Sequence, residues 1–254
     1  MIYTRYRKFI QAYHSLEDGD VYLGKVPASH LKAAILTDLT ARGVRLVPSA
    51  VSQMINASKV AQAFILNPWM VPLTTAVVRR KQLLDALTKY DRENIETVVT
   101  KADRLHCGHG IRKWDSLEMM YACLGLDDTA LPFVLQPFVE QFVDLRVIVV
   151  DDYCEAYVRA NPHNFRRNLS TGGQSQPHPL TDQQTDLCRK LMRRAQMPYA
   201  HIDLMLASDG AAYLSEIRLN GGIQGAQVSR AALEKKKQRL LMTLAKQAVP
   251  ESKL

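Results

Sequence analysis

No stretch of this 254-residue chain is long and apolar enough to cross a membrane; its longest apolar runs, such as Val147 to Val150, are strand-sized. The opening MIYTRYRKFI is basic but has neither the apolar core nor the small-residue cleavage site of a secretory leader. Cysteine is scarce as well. Cys107, Cys123, Cys154 and Cys188 form no CxxC pair and match no metal-ligand spacing, which argues against a disulfide scaffold and a zinc module. They read as reduced thiols of a cytoplasmic protein. Internal repeats and low-complexity tracts are also missing, so solenoids and disordered arrays are set aside. What is present, 47% hydrophobic and 23% charged residues, is the balance of an ordinary globular protein with a sizeable core, built as two subdomains or one large domain.

Lysine and arginine outnumber aspartate and glutamate by 33 to 25. A basic chain attracts polyanions, and nucleotide triphosphates qualify as well as nucleic acids do. RNA is the weaker partner, because no aromatic residues are interleaved on a basic sheet face. The run Glu234-Lys235-Lys236-Lys237 sits in a predicted C-terminal helix and reads as a solvated face.

Elements alternate along the chain. DVYLGKV and VRLVPS are strands around a helix in ASHLKAAILTDLTARG, whose apolar positions are Leu31, Ile35, Leu36 and Leu39; Gly43 suits the left-handed residue that ends it. NASKVAQAFIL predicts a helix opening near Ser58 and stopped at Asn67-Pro68. PLTTAVV, IETVVTK and IRKW predict strands, with a helix in RRKQLLDALTKY carrying Leu83, Leu84 and Leu87, and another around SLEMMYACLG. FVLQPFV, LRVIVVDD and CEAYVRAN follow as strands. The stretch from Asn161 to Pro179 is polar, rich in Gly and Pro, and expected to hold no regular structure. TDQQTDLCRKLMRRAQ is a capped amphipathic helix with Leu187, Cys188, Leu191 and Met192 on one face. YAHIDLMLA and AAYLSEIRL pair antiparallel across the turn SDG. The expected class is α+β in two small lobes.

Three groups of residues carry chemistry. Asp203 and Glu216, inward-facing on the last two strands, either bind Mg²⁺, a hard cation that takes oxygen ligands, or are plain polar residues of a half-exposed sheet. Lys101 ends an apolar strand just before a loop with Gly108 and Gly110, which suits it to phosphate oxygens. His106, Cys107 and His109 match no zinc spacing. Arg146, Arg159, Arg166 and Arg167, with Asn168, either serve phosphate or carboxylate through the planar guanidinium fork or form a solvated basic loop.

Taken in order, KADRLHCGHGI, LQPFVEQFVDLRVIVV, FRRNLSTGG, HIDLM and SEIRLNGG resemble the successive motifs of the ATP-grasp superfamily, and most closely the RimK-type glutamate ligases, over roughly residues 56–226. The resemblance implies two α+β lobes holding a nucleotide between them: a small lobe at 56–130 with the phosphate loop and a C-terminal lobe at 131–254 with the metal site. A reduced N-terminal αβ domain, 1–55, precedes them. It implies that Lys59 and Lys101 contact ATP phosphates, and that Gln136, Pro137, Phe138 and Val139 form the hinge whose backbone reads adenine. Asp144 or Glu140 would lie near the ribose, with Arg146 close by. Arg166 and Asn168 would reach the transferring phosphoryl group, and Asp203 and Glu216 would bind Mg²⁺.

The activity implied is an ATP- and Mg²⁺-dependent carboxylate–amine ligase. It would join a carboxylate substrate to an amino acid or peptide amine through an acyl-phosphate. Two positions depart from the family pattern. Pro137 stands where an acidic hinge residue is usual and removes a backbone donor. Arg218 stands where the family has a metal-binding asparagine, and a guanidinium offers no lone pair. Either Asn220 supplies that ligand, or Arg218 meets phosphate itself. A non-catalytic ATP-binding regulatory protein is the rival expectation, and the short first domain leaves homo-oligomers open.

Overall fold

The computed structural model describes residues 1–105, 110–124, 128–161 and 173–248. Its strands form three sheets, one per run of sequence. The first is parallel, β1 (Ile2–Tyr3), β2 (Val21–Leu23) and β3 (Arg45–Val47) in that order. Between them run α1 (Tyr6–Gln11) and α2 (Lys32–Ala41). Phe9 stacks on Tyr22 with ring centroids 4.0 Å apart, and Leu36, Leu39 and Leu46 close the core around them. Leu31, expected on the buried face of α2, precedes the helix and is 66% exposed. Gly43 (φ +77°) follows the last turn of α2, in the conformation that glycine adopts without strain.

Helix α3 (Ala50–Ala57), not visible in the hydrophobic pattern, comes next, and α4 (Lys59–Ile65) starts where expected. The Ser58 side chain caps α4 by accepting from the Ala61 N–H, as Ser49 caps α3 at Ser52. The second sheet is antiparallel in the order β4 (Thr75–Val77), β7 (Phe133–Pro137), β5 (Val98–Ala102), β6 (Ile111–Trp114). Helices α5 (Arg80–Arg92) and α6 (Leu117–Leu124) belong to the same unit, whose core holds Leu83, Tyr90, Val98, Trp114, Met120 and Leu135. Leu84 remains 45% exposed. Alternation turns Val98, Thr100, Phe133 and Leu135 to that core and puts Val99, Lys101, Val134 and Gln136 on the opposite face.

The third sheet has the order β10 (Gln174–Pro177), β9 (Tyr153–Ala160), β8 (Phe142–Val150), β11 (Tyr199–Ala207), β12 (Ala212–Arg218), antiparallel throughout. Strand β10 corrects the expectation that 161–179 holds no regular structure: its four residues pair with Tyr157 to Ala160, so the sheet edge orders a polar segment without hydrophobic patterning. Helix α7 (Asp182–Ala195) opens on a capping box of Thr181 and Gln184 and buries Cys188 and Leu191. The turn between β11 and β12 is closed by Asp209, whose side chain accepts from the Ala211 N–H at 2.9 Å, with Gly210 at φ +85°. Leu145, Val147, Ala200, Ile202, Leu204 and Ile217 build the apolar side, together with Ile55, Val60 and Ala63 from α3 and α4. Helix α8 (Arg230–Ala248) packs against β2, β3 and β8. No helix among the described residues is long and apolar enough to span a membrane.

Candidate active site

The other face of the third sheet is charged. Strand alternation puts Asp144 and Arg146 of β8, Tyr157 and Arg159 of β9, His201, Asp203 and Met205 of β11, and Glu216 and Arg218 of β12 on one side. Their registers bring partners opposite one another: Asp144 to Arg159, Arg146 to both Tyr157 and Asp203, Asp203 to Glu216, and His201 to Arg218. The β11–β12 register shifts after Asp203, leaving Ser215 as an extra residue next to Glu216. Such a bulge bends the strand and re-aims the neighbouring side chain.

Arg146 grips Asp203 with two parallel bonds of 2.7 Å, Nε to Oδ1 and Nη2 to Oδ2, and its Nη1 donates to the Gly222 carbonyl at 2.8 Å. Arg159 donates to Asp144 at 2.7 Å and lies 3.2 Å from Asp203. Burial alone would raise Asp203, but the two guanidiniums outweigh it and hold this carboxyl well below the usual carboxylate range. Asp144 goes the other way, pushed up to about 6 by burial and by Asp203, with Arg159 opposing.

Two lysines approach from other elements. Lys101 of β5 is 8% exposed, and burial lowers its ammonium to about 8 although Glu216, Asp203 and Asp144 pull it up. Lys59 begins α4; its Nζ donates to the Leu105 carbonyl and lies 3.8 Å from Glu216 Oε1. Burial lowers it too, with Glu216 opposing. The segment after β5 is pinned to this helix because Asp103 Oδ1 accepts from the Ser58 hydroxyl at 2.8 Å and the Val60 N–H at 3.1 Å. Glu216 also accepts from Arg218 Nη2. Three carboxylates (Asp144, Asp203, Glu216) thus face three guanidiniums and two ammoniums, a surplus of two positive charges. An anion fits that surplus, and a nucleotide polyphosphate is such an anion.

Side-chain amides hold the outer edge of β12 in place. Gln62 of α4, fully buried, accepts from the Ile217 N–H at 3.0 Å and donates to the Ile217 and Ile55 carbonyls at 2.9 and 3.0 Å. Asn56 Oδ1 accepts from the Leu219 N–H at 2.8 Å. Sequence reasoning missed both residues, although a glutamine inside the apolar run VAQAF is the mark of a buried amide. It also misread Lys237. Rather than lying on a solvated face, Lys237 is 3% exposed and donates to Asn220 Oδ1 at 2.9 Å and to Glu234 at 3.2 Å. His201 stands 3.5 Å away and is kept neutral, lowered to about 3 by burial and by Lys237.

Among the remaining expected residues, Gln136 is buried at the end of β7 with Nε2 3.8 Å from Met205 Sδ, so the second and third sheets meet here. Among the described residues its Oε1 has no partner; neither do Tyr157 Oη, Arg159 Nε, His201 Nδ1 and Arg218 Nε, all buried on or beside the charged face. Pro137 has no N–H, and that of Phe138 goes to the Thr97 carbonyl at 3.0 Å, so these two hinge positions offer adenine no free backbone donor. Val139 follows, half-buried. Asp144, expected near a ribose, is committed to Arg159. Glu140 is exposed. Arg166 and Asn168, with Arg167, His106, Cys107, Gly108 and His109, lie outside the described residues.

Oxygen donors for a hard cation are few on this face among the described residues. Asp203 and Glu216 are directly opposed carboxylates, oxygen donors of the kind a hard cation takes, but guanidiniums occupy both, and the described residues hold no group of three or more His, Cys, Asp or Glu placed to bind a metal. Among the described residues a further oxygen ligand is not at hand: position 218 is a guanidinium, and the Asn220 oxygen is occupied by Lys237.

The match to solved structures shows the same fold. The chain superposes on an ATP-grasp ligase, PsnB, complexed with minimal precursor at a TM-score of 0.57 and 15% identity, covering 89% of this chain and 77% of that one. D-cycloserine synthetase DcsG gives 0.62 at 15% identity, over 93% and 85% of the two chains. D-alanine–D-alanine ligase from Bacillus anthracis complexed with ATP gives 0.63 at 13% identity, over 95% and 84%. No curated protein sequence matches the chain. The family described as the RimK-like ATP-grasp domain matches residues 74–241, from the strands beside Lys101 through the charged face to α8, and the chain is a member of that family.

Proposed function

We propose that this protein is an ATP-dependent carboxylate–amine ligase. The γ-phosphoryl group of ATP would pass to a substrate carboxylate, releasing ADP; an amine would then attack the acyl-phosphate, forming an amide and releasing phosphate. The observation that carries this reading is the charged sheet face, where opposed carboxylates, three guanidiniums, buried Lys101 and half-buried Lys59 leave a positive surplus facing the second sheet. Phosphoryl transfer asks for positioned charge more than for covalent protein chemistry.

Lys59 and Lys101 meet phosphate oxygens, and Arg146 and Arg159 fix the carboxylates between them. Were Mg²⁺ bound, Asp203, with Glu216 beside it, would hold it, and it would supply Lewis-acid neutralisation of phosphoryl charge. The nucleotide base lies where Gln136 approaches Met205. Supporting a peptide as one substrate, a fold neighbour is an ATP-grasp ligase complexed with a precursor peptide and AMPPNP. Tyr157 and Gln136, with buried oxygens that lack partners, are further groups for substrate polar atoms.

The test is phosphate release from ATP by the purified protein with pools of amino acids and peptides as acid and amine. Mass spectrometry of each positive pool would follow. Release that requires both an acid and an amine, with an amide-linked product, supports the ligase. A second reading, a nucleotide-binding regulator without turnover, is favoured by the guanidiniums that occupy both Asp203 and Glu216. Nucleotide binding without phosphate release in any pool would select it.

A further inference from the structure

Arg218 is the residue of the charged face that sequence resemblance leaves unexplained, and its surroundings are built rather than casual. Ile217 on one side has its N–H and carbonyl held by Gln62, and Leu219 on the other has its N–H held by Asn56. The backbone of Arg218 is therefore locked between two fixed neighbours. Its side chain is 22% exposed and shares Glu216 Oε1 with Lys59, itself 11% exposed, so one carboxylate gathers two cations. Arg218 Nε is buried without a partner. Asp103 also acts on Lys59 but is paired with Arg104 at 3.4 Å, so Glu216 is left to face a guanidinium and an ammonium together, and the cluster keeps one positive charge for an anion.

We propose that Glu216 acts chiefly as the holder of a two-cation clamp, in which Arg218 and Lys59 receive the β-phosphate oxygens of the nucleotide. The clamp provides as fixed protein charge what a divalent ion would otherwise supply at this edge. The inference rests on the ATP reading given above and adds a phosphate-binding role for Arg218. The guanidinium brings several N–H donors in a planar fork, a geometry matched to phosphate oxygens, whereas an asparagine there would bring a neutral oxygen suited to a metal. Fixed donors need no reorganisation when the nucleotide arrives.

Calorimetric titration of ADP into the full chain, in excess EDTA and in excess Mg²⁺, tests the clamp, using wild type, Arg218→Gln and Arg218→Lys, with AMP as a control. The wild type should bind ADP in EDTA within about threefold of its affinity in Mg²⁺. Arg218→Gln should lose about 10- to 100-fold in EDTA, the scale of one or two charge-assisted hydrogen bonds, and less in Mg²⁺. Arg218→Lys, which keeps the charge without the fork, should fall between them, and AMP, which lacks the clamped oxygens, should bind all three proteins alike. ADP binding that collapses in EDTA for the wild type, or that Arg218→Gln leaves unchanged in EDTA, overturns the clamp while leaving the ATP reading intact. A wild type that binds no ADP in either condition overturns the ATP reading, and the clamp with it.

Discussion

Replacing Gln62 by methionine tests how the candidate site is held. Methionine is unbranched and close in volume, so packing around α4 is conserved while three hydrogen bonds disappear. On β12, Ile217 lies opposite Ile202 in the ladder but sends its own N–H and carbonyl outward to Gln62, so these two groups lose their partner together. A buried backbone group left unpaired costs about 1–3 kcal/mol. Two such groups, with some relief by water reaching the edge, give a local loss of about 2–4 kcal/mol. A global melt would mix this with the other sheets' stabilities, because a chain with three cores need not unfold in one step. Amide hydrogen exchange at Ile217 reads it directly. At about 1.4 kcal/mol per tenfold, exchange should quicken by about 30- to 700-fold in Gln62→Met, with amides of the first sheet unchanged. An Ile217 amide as protected in the variant as in wild type would show that the edge is held by packing alone.

Three other perturbations follow from the charged face and its support. Arg146→Met removes the bidentate partner of Asp203, and breaking a mostly buried pair should destabilise the third sheet by about 3 kcal/mol in exchange experiments. Because the folded Asp203 carboxyl lies below its unfolded value, its contribution is present above about pH 4 and lost as pH falls further. Arg146→Met should therefore denature at a higher pH on acid titration, and an unchanged acid midpoint would contradict the pairing. Lys101, lowered to about 8, is charged at pH 7 and loses its proton as pH rises past 8. ADP affinity should fall from pH 7.5 to 9.5 by up to about tenfold per unit, and binding near pH 8.5 should take up a proton, visible as a calorimetric enthalpy that changes with buffer; a buffer-independent enthalpy would place the phosphates away from Lys101. Lys237→Met and Asn220→Ala should couple by about 1–2 kcal/mol in a double-mutant cycle of stability, and additive effects would show that their 2.9 Å bond does not tether the turn after β12.

How far sequence could go depended on the range of the interaction. Caps, turns and alternation are local, so Ser58, Thr181, Gly43 and the SDG turn marked their elements from nearest neighbours alone. Period-two alternation in YAHIDLM and SEIR, paired across SDG, likewise put Asp203 and Glu216 on one sheet face. The ATP-grasp architecture came instead from the resemblance of five motifs, in order, to a known family. Short or polar elements escaped: α3 is only eight residues long, and β10 exists because β9 offers an edge to it. The Lys235-Lys236-Lys237 run shows the limit plainly, since three adjacent lysines look alike in sequence and only Lys237 turns inward.

Composition and local pattern by themselves determined the fold class, the family resemblance and the residue types able to handle phosphate, because each depends on chemistry or spacing within a few residues. Tertiary structure alone decided what those residues do to one another. Antiparallel register set Asp203 opposite both Arg146 and Glu216, and packing of α4 brought Lys59 to a carboxylate far along the chain. Charges neutralise one another through distance in space. The sequence names the ions, and only the packed sheets determine which of them keep charge to spare.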